Sequence, residues 1–479
     1  MYKEFKIKHI GDIPFIYHKD NSGLICIIII FNCGAVTEES NVSGISHFVE
    51  HIIFGPSKNC NNNLLNNVKC IKPVIFMGNN SITYNAFTGN ELTGFYLKGN
   101  KDDFDFMINI IYDILVNPLF LKEEIEKERK IILEEKANMN DSPSDLANEE
   151  FYKILFKNHV LSNSVIGTDE SINFIQQKHI IDYFNKFYKN PNNIIISIGG
   201  DYDNYHFNQI ETKFNKINDI YYYSKYKQYK IPYVNKEYDY PISPKQNINY
   251  KSSILTGGIS NNLPNHTHLK MSKFDKTYIY ITFKFHYNDK YELELISSMI
   301  GKGLSSILYQ QLREETNNPL IYSLSTSVIE HKDYGIFLIT TNTNMDDKIK
   351  DIIDIILNTI MNDFNKLKYK NMKTMDYENI DDDMLKSHKK KIKNDMLETQ
   401  LSYFDITYDT VLNFFQFINR NPDYKSNIFP KSLKFKNILD KYQQITLKNL
   451  QKIALKTFKK ENLCIITIGN MNFKYDFKY

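Results

Sequence analysis

A helix–turn–strand unit occurs twice in this chain of 479 residues, and that repetition constrains the fold more than any single residue does. Residues 176–200 read QQKHIIDYFNKFYKNPNNIIISIGG, and residues 443–470 read QQITLKNLQKIALKTFKKENLCIITIGN. Each copy is an amphipathic helix, a polar turn and a short apolar strand ending at Gly199 or Gly469. A second helical pair, DFDFMINIIYDILVNPLF at 103–120 and DDKIKDIIDIILNTIMNDF at 346–364, repeats at the same order. Each half opens on a β-branched run, LICIIIIF at 24–31 and TYIYITFKF at 277–285, followed by a helix. The pattern predicts an α+β chain of two homologous α/β-roll domains, each a mixed sheet flanked by helices. The expected boundaries are 1–225 for the first domain, 226–272 for a connector and 273–479 for the second. Pro, Gly and Asn in YKIPYVNKEYDYPISPK and TGGISNNLPNHT mark the connector. His266 and His268 fall within it and read as loop histidines in solvent.

Chemistry concentrates in the first half, where GISHFVEHIIFG contains His47-Phe48-Val49-Glu50-His51. On a helix, residues four apart share a face, so His47 and His51 can offer two imidazole nitrogens to one metal ion. Glu50 borders that face and can take a proton from a water held there. The order H-x-x-E-H is a zinc-peptidase signature. Read blandly, the same residues are core-edge histidines of an amphipathic helix. The second half has KYELELISSMIGKGLSSIL at the corresponding place, without a histidine pair, and reads as catalytically silent.

A hydrolytic zinc site usually takes three protein ligands and leaves a fourth position open. LKEEIEKERKIILEEK, residues 121–136, can supply the third. At about 100° per residue, Leu121, Ile125, Ile131 and Ile132 form an apolar stripe, with Glu128 and Glu135 inside it. Glu123, Glu126 and Glu134 fall on the other side with Lys127 and Lys130. Carboxylates on a buried stripe need a cation or hydrogen-bond donors, and Glu135 is the expected ligand. Glu128 either orients a ligand histidine or the water, or simply favours the helix dipole.

HFVEHIIF followed by ERKIILEE resembles the pitrilysin/insulinase family of inverted-motif zinc peptidases. There a distant Glu in an E-R-x-x-I-x-x-E segment completes the metal site. The resemblance implies His47, His51 and Glu135 as ligands of one Zn2+ per chain, Glu50 as general base and Glu128 as supporting acid. The 84 residues from His51 to Glu135 exceed the family's spacing by about eight, and the Asn-rich NCNNNLLNNVKC reads as a surface insertion that holds the excess. Asn85-Ala86-Phe87-Thr88 is similar to the family's active-site edge strand, which implies substrate binding at Asn85 and Ala86 by strand addition. Taken alone, NAFTGNE reads as a turn. GKGLSSILYQQLREETNNPLIYSLST resembles a distal segment whose Arg and Tyr reach substrate, which maps to Arg313 and Tyr322. Without the resemblance these read as a helix-end charge and a core aromatic.

The implied activity is zinc-dependent endopeptidase cleavage of peptides or unfolded or precursor polypeptides. The alternative is a catalytically idle scaffold or assembly subunit. Large relatives enclose substrate between four such domains, so two domains imply a homodimer or a related partner subunit. A formal charge of +3 spread over the chain is no nucleic-acid footprint. The basic cluster Lys386 to Lys393, after Asp381-Asp382-Asp383, reads as a solvated helix. Cys26, Cys33, Cys60, Cys70 and Cys464 are odd in number without C-x-x-C spacing, as suits free thiols in a reducing compartment. No membrane-spanning apolar run or targeting segment is evident, and the expected location is cytoplasmic. Abundant Asn, Ile, Lys and Tyr with no Trp suit an AT-rich genome, that of a large DNA virus, a protist or some bacteria.

Overall fold

The computed structural model describes residues 2–57, 77, 81–157, 159–223, 266–316, 318–331 and 335–476. The Asn-rich insertion with Cys60 and Cys70, and most of the expected connector, lie outside these residues. The chain forms two compact units.

In the first unit, six strands lie in the order β1-β2-β6-β3-β5-β4: β1 Lys6–Ile10, β2 Ile13–Lys19, β3 Leu24–Phe31, β4 Thr83–Thr88, β5 Thr93–Asn100 and β6 Ile194–Gly200. Only β2 and β6 pair in parallel; the other neighbours are antiparallel. Strand β3 is apolar without alternation because both its faces are covered. Ile25, Ile27 and Ile29 face a core that also holds residues of α1 Ile45–Ile53, α2 Phe104–Val116 and α3 Lys122–Asp141. Ile28 and Ile30 turn the other way, onto Val411, Phe414 and Phe415.

The second unit repeats the arrangement. Its strands run β7-β13-β8-β10-β9, with the same senses of pairing. They are β7 His266–Lys270, β8 Thr277–Phe285, β9 Leu324–Glu330, β10 Gly335–Thr343 and β13 Leu463–Gly469; a separate ribbon joins β11 Lys368–Lys370 to β12 Tyr377–Asn379. Strands β3 and β8 begin and end on the residues read from the sequence. In chain order the helices are α4 Pro143–Leu155, α5 Asp169–Phe174, α6 Gln177–Phe187, α7 Asn204–Tyr223, α8 Lys290–Gly301, α9 Ile349–Leu357, α10 Asp382–Thr399, α11 Tyr403–Arg420, α12 Phe435–Gln444 and α13 Leu447–Thr457.

Strand β7 of the second sheet, His266–Lys270, lies inside the expected connector 226–272, and the compact units exchange a helix. Residues 398–435, with α11, belong to the first unit, and residues 139–162, with α4, to the second. Helix α11 packs across β3 and β6, where Gly199 leaves room for Thr407 and His18, whose Nε2 and Oγ1 lie 2.7 Å apart. Helix α4 reaches β8 through Phe151, stacked 4.4 Å from Tyr280, and through Asn148, which accepts from the Tyr280 hydroxyl at 2.9 Å.

The loop reading of His266 and His268 is corrected: both sit on β7, parallel to β13. The Thr467 hydroxyl meets both imidazoles, His266 Nε2 at 2.8 Å and His268 Nδ1 at 2.9 Å, so pairing to a neighbouring strand replaces solvent. Among the described residues, Cys26, Cys33 and Cys464 are free thiols, and burial pushes Cys26 and Cys464 up to about 12. No helix among these residues is long and apolar enough to cross a membrane.

Candidate metal centre

Helix α1 begins at Gly44, whose φ of +89° and close approach to Gly167 at φ +83° leave no room for a side chain on either residue. Its first N–H groups are met by a side chain from outside the helix. Glu38 Oε2 accepts from Gly44 N at 2.6 Å, and Oε1 accepts from Ser46 N at 2.9 Å and from the Ser46 hydroxyl. The Ser46 Oγ lies 2.9 Å from the Tyr183 hydroxyl. Burial pushes Glu38 up to about 7, while these donors work against the shift.

Ile45, Phe48, Val49, Ile52 and Ile53 bury one face of α1, which leaves His47, Glu50 and His51 half-buried on the other. His47 Nε2 and His51 Nε2 lie 3.2 Å apart. Glu135 Oε2, from α3, lies 3.3 Å from His51 Nε2 and 3.8 Å from His47 Nε2. Ligands about 2.05 Å from a tetrahedral zinc ion stand roughly 3.3 Å from one another, so the three atoms already approximate one face of such a shell. Two imidazoles and a carboxylate also match the donor set of hydrolytic zinc sites. The fit is good. Among the described residues, this is the group of three His, Cys, Asp or Glu side chains that can hold a metal ion.

Glu128 Oε2 lies 3.4 Å from His51 Nδ1, the nitrogen turned away from Glu135. Burial alone would lower His51, yet the Glu128 hydrogen bond and the charges of Glu135, Glu50 and Glu128 outweigh it and raise its pKa. His47 goes the other way. Burial, and next the charge of His51, hold it down to about 3. Burial raises Glu50, and the charge of Glu135 adds to this, against the Thr88 hydroxyl and His51. The expectation that Glu135 lies within a buried stripe is corrected: its side chain is 46% exposed, and Leu121 is also exposed. The buried face of α3 ends at Ile132, so Glu135 reaches the imidazoles from the solvent side, where a ligand position can stay open.

Thr88 closes β4, the edge strand of the first sheet, which borders α1. The turn reading of this segment is thereby replaced by a strand. Asn85 is exposed, and its Oδ1 accepts the Ala86 N–H at 3.0 Å, a donor that the ladder to β5 leaves over. In the second unit Arg313 and Tyr322 meet: the guanidinium lies 5.4 Å from the Tyr322 ring and donates to its carbonyl. Tyr322 is 74% exposed, so its reading as a core aromatic is corrected.

Residues 16–169 match the family model "Insulinase (Peptidase family M16)", and residues 175–374 match "Peptidase M16 inactive domain". The chain belongs to the M16 peptidase family. Among M16 relatives, a Rickettsia felis protein named an uncharacterized zinc protease is 27% identical over 67% of this chain and 69% of its own length. The mouse mitochondrial-processing peptidase subunit beta matches over a shorter stretch, at 28% identity over 38% of this chain and 36% of that protein. The crystal structure of a Helicobacter pylori protease shares the fold, with a TM-score of 0.73 at 16% identity over 98% of this chain and all of the other.

Sequence reasoning misses two residues around this candidate site. Glu38 is an extended residue between two short 3-10 helices, nine residues before His47, with no local pattern to single it out. Arg129 was legible in principle, since it falls beside Ile125 and Ile132 on the buried face of α3, and a cation there needs partners.

Proposed function

We propose that the protein is a zinc-dependent endopeptidase whose metal ligands are His47, His51 and Glu135. The observation that carries this reading is the approach of Glu135 Oε2 to within 3.3 and 3.8 Å of two imidazole nitrogens that are themselves 3.2 Å apart. A zinc ion in such a donor set makes a water acidic near neutral pH and polarises a peptide carbonyl. Glu50 then removes the proton of the attacking water and passes it to the departing amine. Its raised pKa suits both transfers. Glu128 holds the His51 ring by Nδ1, so that Nε2 faces the metal position.

The substrate is an extended peptide or an unfolded or precursor polypeptide. It pairs with the open edge of β4, where the Ala86 N–H exchanges its Asn85 partner for a substrate carbonyl. Backbone pairing demands little of the substrate's sequence. Arg313 and Tyr322 are assigned to substrate contact, and the working form to a homodimer or a pair with a related subunit. An idle scaffold subunit would have no use for three carboxylates and two imidazoles converging from these two helices. The test is zinc content together with cleavage of a peptide library by the wild type and by Glu50→Gln. Zinc retained with cleavage lost supports the reading; a fully active Glu50→Gln chain refutes it.

A further inference from the structure

Arg129 stands between the two helices that carry the proposed ligands. It follows Glu128 on α3 and precedes Glu135 by six residues, on a buried face otherwise made of Ile125 and Ile132. A buried guanidinium persists only where its donors are met. Here Nη1 donates to the Ile172 carbonyl and Nη2 to the Ile175 carbonyl at 2.7 Å, both at the end of α5. The remaining edge is held by Glu126, whose Oε1 accepts from Nη2 at 3.0 Å and whose Oε2 accepts from Nε at 3.1 Å. The group also lies 5.4 Å from the centroid of the Phe48 ring, and Phe48 follows His47 on α1.

One side chain of α3 therefore grips the end of α5 by its edge and rests against a residue of α1. We propose that Arg129 is a positioning residue for the metal centre, fixing how α3 lies against α1 and so where Glu128 and Glu135 stand relative to His47 and His51. The inference rests on the zinc reading above. Zinc–ligand distances tolerate about 0.2 Å, whereas a slide of α3 by one residue's rise moves Glu135 by about 1.5 Å. Packing of Ile125 and Ile132 alone resists such a slide weakly, because apolar contacts are not directional. The forked hydrogen bonds are directional. Lysine cannot replace them, since a single ammonium does not span both carbonyls while lying over the ring.

The test is zinc affinity of the metal-free full chain, measured by competition with a chromophoric chelator, for the wild type, Arg129→Lys and the surface variant Glu126→Gln. Circular dichroism follows folding, and the visible bands of the Co2+-loaded chains report ligand geometry. Arg129→Lys is expected to bind zinc about 10- to 100-fold more weakly, with altered Co2+ bands. Glu126→Gln, which loosens the guanidinium without touching the core, is expected to lose about threefold by the same route. Wild-type affinity and Co2+ bands in both variants would overturn the inference. Should Arg129→Lys fail to fold, Glu126→Gln decides alone, and unchanged affinity there overturns it. A wild-type chain that binds no zinc is a different result, which removes the zinc reading itself and this inference with it.

Discussion

His51 Nε2 and Glu135 Oε2 stand 3.3 Å apart, although 84 residues of chain separate them. Nothing local brings an imidazole and a partly exposed carboxylate to that distance. The packing of α1 and α3 into one core does, and the two groups gain most when a cation lies between them. Replacing Glu135 by Ala should therefore abolish zinc retention through dialysis while the far-ultraviolet circular dichroism of the chain stays unchanged. Glu128→Gln, one step further from the ion, should weaken zinc binding by about 10- to 100-fold without abolishing it.

Glu50 is assigned to proton transfer rather than to metal binding. Glu50→Gln should keep about one zinc per chain and lower kcat by roughly 10²- to 10⁴-fold, the range for loss of a general acid–base group. Single-turnover cleavage of a fluorogenic peptide measures it. A loss of zinc in parallel with activity would move Glu50 into the ligand set.

Strand β4 offers the Ala86 N–H away from its ladder, to its own neighbour's side chain. Ala86→Pro removes that donor at an edge position, where proline is tolerated. The expected result is a raised KM for peptides with zinc affinity at the wild-type value. Asn85→Ala, which frees the same N–H, should leave KM unchanged or lower it.

The buried Glu38 cap should show in stability. Glu38→Ala leaves the Gly44 and Ser46 N–H groups without their acceptor and should cost about 2 kcal/mol in urea unfolding. Tyr183→Phe, one hydrogen bond further out, should cost less.

Two buried histidines away from the site make the fold acid-sensitive. Burial, then the charge of Lys3, holds His18 down to about 4; burial, then His268, does the same to His266. Each is near 6.5 when unfolded, so the unfolded chain binds more protons between those values, and stability falls as pH drops from about 6.5 to 4. By pH 5 the loss is on the order of 2 kcal/mol per histidine. Urea midpoints at pH 7.5 and 5 for the wild type and His18→Gln measure it, and the variant should lose less.

The repeat in the sequence reads through to the fold because it is carried by apolar periodicity, and strands β3 and β8 begin and end where the β-branched runs do. His47, Glu50 and His51 were legible because a helix fixes their relation within a single turn. The exposure of Glu135 was not, since periodicity gives the side of a helix and not where along it the covering layer stops. The exchange of α4 and α11 between units was equally hidden: each helix has an apolar face, and nothing in that face names the sheet that covers it. His266 and His268 looked solvated because Thr467, which pairs with them, is about 200 residues away along the chain.

The zinc centre itself is tested most directly by anomalous diffraction at the zinc absorption edge from crystals of the purified chain. The account predicts one peak, within about 2.0–2.2 Å of His47 Nε2, His51 Nε2 and a Glu135 carboxylate oxygen. A zinc-replete crystal with no peak there, or with a peak held by other side chains, would contradict it.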